Sequence, residues 1–232
     1  MFRHIRLLVF DLDYVVFDCA ALKASTLRKT LIPFADLIPQ TVSLPDDVDI
    51  EDSFLEYGSR WIRSLELGLD ESQLAALEEN YVRQESRLLN AGGGHFFAGI
   101  LHRLSTYRAA GLTLALGAET TRDYLMSVSD RYNMDQFFEI AFCTEEYGMG
   151  GADEMLAEIM NHAVVNPSET LVLGTRPPYF EAAHGLDIQC VGCGWGLRKR
   201  EPLSHADFQL YSIDHMDSLI QQADDLSAGY SS

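Results

Sequence analysis

The chain has 232 residues, 47% of them hydrophobic, enough to bury a sizeable core in one domain with an insertion or in two small domains. Its 35 Asp and Glu against 17 Lys and Arg leave a formal net charge of -18, a field that repels polyanions and argues against nucleic acid as a partner. Four cysteines do not make a disulfide scaffold at this length, no window approaches the roughly 20 apolar residues of a membrane span, and "MFRHIRLLVF" lacks a small-residue cleavage site, so the expected setting is the cytoplasm without membrane contact.

In chain order, "IRLLVFDL" is a continuous apolar run of the kind a strand buried on both faces requires, and it ends in Asp11 and Asp13. Residues 19–93 show no strand pattern; "IEDSFLEYGSRWIRSLELGL" and "DESQLAALEENYVRQESRLL" carry apolar residues at spacings of three and four, which predicts a helical insertion. Phe54, Tyr57 and Trp61 fall at helical spacing within it and read as its core or as a platform for a substrate. "AGGGH", 91–95, reads either as a hinge or as a plain flexible loop. Then "LTLALGA", "EIAFCT", "ETLVLGT" and "DIQCVGCG" alternate with helical patterns such as "AGILHRLSTYRAAG", "TTRDYLMSVSDRYN" and "GADEMLAEIMNHAVV". Strands alternating with helices predict an α/β fold, a doubly wound parallel sheet spanning 1–18 and 94–226 around a helical cap. The tail 227–232 reads as disordered. In such sheets ligands lie at the carboxyl ends of the strands, where Asp11 and Asp13 stand.

The order of a hydrophobic strand, "DLD" at 11–13, a helical insertion and an α/β core resembles the haloacid dehalogenase superfamily, in its capped branch similar to phosphoglycolate phosphatase. The resemblance runs through "VFDLD" with "FD" at Phe17 and Asp18, "FFEIAFCTEEYGMG", "NPSETLVLG" and "CVGCGWGLRKR". It implies a Mg²⁺-dependent phosphomonoester hydrolase in which Asp11 takes the phosphoryl group as an aspartyl-phosphate and Asp13 serves as general acid and base. The two carboxylates would also be the metal ligands. A capping role for the pair at a strand end is the plain structural alternative.

Around this pair the chain departs from the family pattern. Gly and then Thr or Val are expected after Asp-x-Asp, and here Tyr14 and Val15 follow; valine keeps its amide, but tyrosine is costly wherever φ is positive. The ring of Tyr14 would then turn toward the cap or into the pocket. The phosphate-binding Ser or Thr becomes Ala118, with Thr120 and Thr121 close behind as substitutes or as helix-capping residues. The Lys-Pro pair that neutralises phosphate becomes Gly151 and Ala152, and the acidic metal positions become Thr175 and Tyr179; Glu181 would have to reach across from a position that the family pattern gives to the helix. Arg176 would place a fixed positive charge beside the pocket, or pair with an acidic neighbour. Each lost transition-state donor costs about 10² to 10³ in rate.

Two functions therefore stand open. One is a non-catalytic protein that keeps the fold and holds a small anionic or phosphorylated ligand, or a protein partner, with Tyr14, Val15, Ala118, Thr120 and Arg176 lining the site. The other is an active phosphatase with a rebuilt site and Mg²⁺. The remaining features carry weaker signals. Cys190 and Cys193 form a lone CxxC that reads as strand-end packing; Arg198, Lys199 and Arg200 form a basic cluster; His95, His162 and His184 show no metal-ligand spacing.

Overall fold

The computed structural model describes residues 4–58, 61–147, 151–199 and 201–229. The chain divides into two compact units, Met1–Asp18 with Phe96–Ser232, and Cys19–His95. Among the described residues no helix is long and apolar enough to cross a membrane.

The unit Cys19–His95 is built from Ala20–Leu31 (α1), Asp47–Tyr57 (α2), Trp61–Ser64 (α3) and Glu71–Asn90 (α4). Two of these helices start on capping boxes: Asp46 accepts the amides of Val48 and Asp49 while Asp49 accepts that of Asp46, and Asp70 is paired reciprocally with Gln73. Gly58, at φ 55°, closes α2, so Phe54 and Trp61 belong to different helices. Both are buried, with Trp61 edge-on to Tyr81 at 5.4 Å, whereas Tyr57 is 50% exposed and stands outside the core in which the sequence places it. Lys23 is buried with them, over the Phe54 ring and 4.0 Å from Glu85, which also accepts a hydrogen bond from Tyr81. In "AGGGH" the middle glycine has a steric reason: a Cβ on Gly93 would lie 2.8 Å from Leu22 Cδ1 and 2.9 Å from the Leu88 carbonyl, so the segment is a packed helix terminus.

The other unit is organised by Leu7–Phe10 (β1), whose four residues have no solvent exposure. It lies at the centre of a six-stranded sheet completed by Thr113–Ala118 (β2), Ile140–Cys143 (β3), Thr170–Gly174 (β4), Gln189–Cys193 (β5) and Phe208–Leu210 (β6). The order is β3-β2-β1-β4-β5-β6, and every neighbouring pair is parallel. The last strand has no counterpart in the sequence reading: three residues at a sheet edge, one of them buried, leave too short a pattern.

Alternation along β1 explains why its apolar run is unbroken. Leu7 and Val9 join Ala115, Val172 and Cys190 in a core covered by Ala152–Ala163 (α7) and Pro177–Gly185 (α8), with Met155, Ile159, Tyr179 and Phe180 supplying the helical side. Leu8 and Phe10 point the opposite way, and Phe10 meets Phe138 edge-on at 5.9 Å. Ile100–Ala109 (α5) packs on β2 and Met216–Gly229 (α9) on β6, while Arg122–Tyr132 (α6) follows β2 in sequence. The helix α9 also holds the start of β1: buried Asp224 accepts the amides of His4 and Ile5, each at 2.6 Å.

This helix runs through 227–229, where the sequence suggests a disordered tail, because extending a formed helix adds a hydrogen bond for each residue fixed. Residues 230–232 of that tail lie outside the described residues.

One helix end is visibly unfavourable. Val164 caps α7 at φ 54°, a left-handed conformation that suits glycine and not a β-branched side chain, and it is 79% exposed. Val164→Gly is expected to stabilise the chain by about 1 kcal/mol, read as a higher midpoint in urea denaturation; an unchanged or lower midpoint counts against the strain.

Candidate active site

The carboxyl end of β1 feeds a tight turn. The Asp11 amide still donates to Leu173 of β4 at 2.8 Å, and Asp11 Oδ1 accepts the Leu12 amide at 2.8 Å. The Leu12 carbonyl then accepts from both Val16 and Phe17, rolling the chain through one turn in which Tyr14 sits at φ 62°. The positive φ that the family's glycine would have supplied is therefore kept with a tyrosine in place, and its side chain is buried. Val15 is fully buried, and its carbonyl accepts Trp195 Nε1–H at 3.0 Å. Next to that tryptophan a Cβ on Gly196 would lie 3.0 Å from the Tyr14 carbonyl and 2.5 Å from Phe97 Cζ. The "GWG" loop after β5 is thus a clamp on the turn that carries the two aspartates.

Asp11 and Asp13 are 3% and 4% exposed. Asp13 Oδ1 accepts the hydroxyl of Tyr124, from the first turn of α6, at 2.9 Å. Burial pushes Asp11 up to about 8; the nearby charges of Glu119 and Asp13 push the same way, while Arg176 and the Leu12 amide oppose them. Arg176, 2% exposed at its side chain, forms an ion pair with Glu119, 15% exposed. Glu119 follows β2 and Arg176 follows β4, and β1 lies between those two strands, so the pair reaches across the end of the strand that delivers Asp11. Beside it, the buried hydroxyl of Thr175 has no hydrogen-bond partner among the described residues.

The positions that differ from the family pattern are occupied as follows. Ala118 is buried at the end of β2. Thr120 turns back through its amide to the Ala118 carbonyl, and Thr121 is the N-cap of α6, accepting the Tyr124 amide. Gly151 is the N-cap of α7, and a Cβ there would fall 2.4 Å from Tyr147 Cβ, so the place expected to hold lysine accepts no side chain without moving Tyr147. Tyr179 is a core residue: its hydroxyl donates to the Gly117 carbonyl at 2.8 Å, and a Cβ at either Gly117 or Gly174 would lie 2.6 Å from the tyrosine. Glu181 is exposed on α8.

Cys190 and Cys193 are buried free thiols three residues apart on a strand, hence on opposite faces; burial pushes Cys190 up to about 12. Arg198 and Lys199 are exposed, and Arg200 lies outside the described residues. His162 is held on α7 by Glu158, and His95 is exposed.

Glu119 and Tyr124 escape the sequence reading. The one available signal for Glu119 is chemical: an arginine buried at a strand end needs a carboxylate, and Glu119 is the acid immediately past the neighbouring strand.

Two measurements test this electrostatic arrangement. Arg176→Ala, which strands the largely buried Glu119, is expected to cost about 3 kcal/mol or more in urea unfolding, and Glu119→Gln in the same background is expected to recover part of it. The folded-state pKa of Asp11, about 8, lies above its ordinary 3.8, so the stability contributed by the protonated carboxyl is complete below pH 3.8 and is lost as the pH rises through about 8. In metal-free buffer Asp11→Asn is therefore expected to gain stability relative to the natural chain as the pH goes from 5 to 8; a constant difference would contradict it.

Comparison with known proteins places the fold. No curated protein matches the sequence. Among solved structures, a protein described as a predicted phosphoglycolate phosphatase from Haemophilus somnus is similar with a TM-score of 0.79 at 14% identity, covering 94% of this chain and 99% of that one. A haloacid dehalogenase-like family hydrolase from Streptococcus pneumoniae gives 0.76 at 17% identity over 94% and 99%, and CbbY from Rhodobacter sphaeroides, solved with phosphate, gives 0.73 at 16% over 90% and 94%. At these identities the likeness is one of fold. The family model of haloacid dehalogenase-like hydrolases matches residues 8–193, from β1 through the end of β5, and this chain belongs to that family.

Proposed function

We propose that this member of the haloacid dehalogenase-like hydrolases has lost most of its phosphoryl-transfer capacity and acts as a binding protein for a small anion. The observation that carries the reading is the buried Arg176–Glu119 pair across the end of β1. A nucleophilic aspartate must be ionised, and burial pushes Asp11 up to about 8, against the ionised form. The donor set also fits Mg²⁺ poorly. Asp13 is engaged by Tyr124, Glu119 by Arg176, and the two positions where the family places further acids carry a threonine and a core tyrosine, while a hard dication asks for several carboxylate or water oxygens. No chemical step is therefore routed through a metal.

Arg176 supplies the positive charge, and Glu119 is the more exposed member of the pair. A small anion that takes the place of the Glu119 carboxylate on the guanidinium would keep the charge balance, whereas a phosphate dianion adds charge beside Asp13. Small carboxylates are the favoured class.

Phosphate release from a panel of small phosphomonoesters, with and without Mg²⁺, is expected to be indistinguishable between the natural chain and Asp11→Asn. Metal-dependent turnover that disappears in Asp11→Asn would overturn the proposal and support a rebuilt phosphatase.

A further inference from the structure

A second cluster of ligand atoms lies away from the aspartate pair. His184 near the end of α8, Cys190 on β5 and Asp207 just before β6 converge: His184 Nε2 is 3.1 Å from Asp207 Oδ2 and 3.3 Å from Cys190 Sγ, and Cys190 Sγ is 3.5 Å from Asp207 Oδ2. Zn²⁺ bound tetrahedrally by imidazole nitrogen, thiolate sulfur and carboxylate oxygen, with bonds of about 2.0 to 2.3 Å, sets such atoms about 3.3 to 3.6 Å apart. The three observed edges lie within about 0.3 Å of that range and follow its order, nitrogen to oxygen shortest and oxygen to sulfur among the longest.

The surroundings suit a bound ion. The Cys190 amide donates to Asp207 Oδ2 at 2.8 Å and so fixes the carboxylate against the sulfur. Cys190 is buried, while His184 and Asp207 are 43% and 38% exposed at their side chains and line a pocket of about 430 Å³ with Ser168, Asp187 and Gln189. Three corners thus come from the protein, two of them from the wall of the pocket. Cys190 stands in register with Val172, which pairs with Val9, two residues short of Asp11 and two strands away. With about 3.3 Å per residue and about 4.8 Å between strands, the Cα atoms of Cys190 and Asp11 are roughly 12 Å apart, too far to share one ion.

We infer that His184, Cys190 and Asp207 bind a divalent transition metal, Zn²⁺ or an ion of similar borderline softness, with the fourth position open to water or to a small donor in the pocket. Mixed nitrogen, sulfur and oxygen ligation disfavours Mg²⁺ and Ca²⁺. The ion clips α8, β5 and the segment before β6 together, and its site is independent of the chemistry at Asp11.

The test uses the full chain, stripped with a chelator and titrated with Co²⁺. One equivalent is expected to bind with a thiolate-to-cobalt charge-transfer absorption that vanishes in Cys190→Ser and persists in Cys193→Ser and in Asp11→Asn. His184→Ala changes a partly exposed side chain that the core does not need; with its circular dichroism unchanged it is expected to weaken Co²⁺ binding by more than about 100-fold, beyond what loss of a merely orienting partner costs. Zn²⁺ at about 100 times its Kd is expected to raise the melting midpoint of the natural chain by about 5 to 10 °C. Absence of the charge-transfer band in the natural chain, or binding that survives in His184→Ala and is lost in Asp11→Asn, would overturn the inference.

Discussion

A carboxylate set at the end of a strand with no exposure on either face is the constraint around which the rest of the site is arranged. Asp11 inherits its burial from β1, and a buried carboxylate either finds a counter-charge or takes up a proton. Arg176 supplies part of the counter-charge, but a guanidinium carried into the same low-dielectric environment needs its own partner, which Glu119 provides from the opposite neighbouring strand. One buried charge thus recruits another, and the resulting pair spans the end of the strand that carries Asp11. Tyr124 on Asp13 and the Trp195 clamp on Val15 hold the turn against the same burial.

The architecture was largely legible in the sequence because its strongest signal, uninterrupted apolar runs, is what a doubly covered parallel sheet requires. β1 to β5 all lie within quoted runs, and the helices between them follow their apolar spacing. Legibility fails where few residues carry the pattern, as in β6, or where a single glycine changes the meaning of a spacing, as Gly58 does between Phe54 and Trp61. The site was legible only by position. That Thr175, Ala118 and Gly151 lack the expected functional groups is read directly; that Gly151 is sterically closed by Tyr147 and that Glu119 pairs with Arg176 are consequences of three-dimensional packing, which local pattern cannot encode.

Similarity across nearly whole chains at 14–17% identity illustrates how far a fold can persist while its sequence changes. Packing in β1 and its neighbours tolerates any apolar residues of suitable volume, so the sheet persists through extensive substitution. Site residues are under a different constraint, the geometry of a reaction, and fold alone does not carry that constraint.

The inlay of Tyr179 against Gly117 and Gly174 bears on which substitutions the chain accepts. Two glycines from different strands make room for one ring, and the ring fills the space they leave. An aspartate at position 179 would be shorter than the ring, leaving a void above two backbones that have no side chains to close it, and would bring a further negative charge toward Asp11. A lysine at position 151 would meet Tyr147 first. Each of these substitutions is therefore disfavoured on its own, so the positions are coupled: neither can change until the side chain or glycines packed against it have changed first.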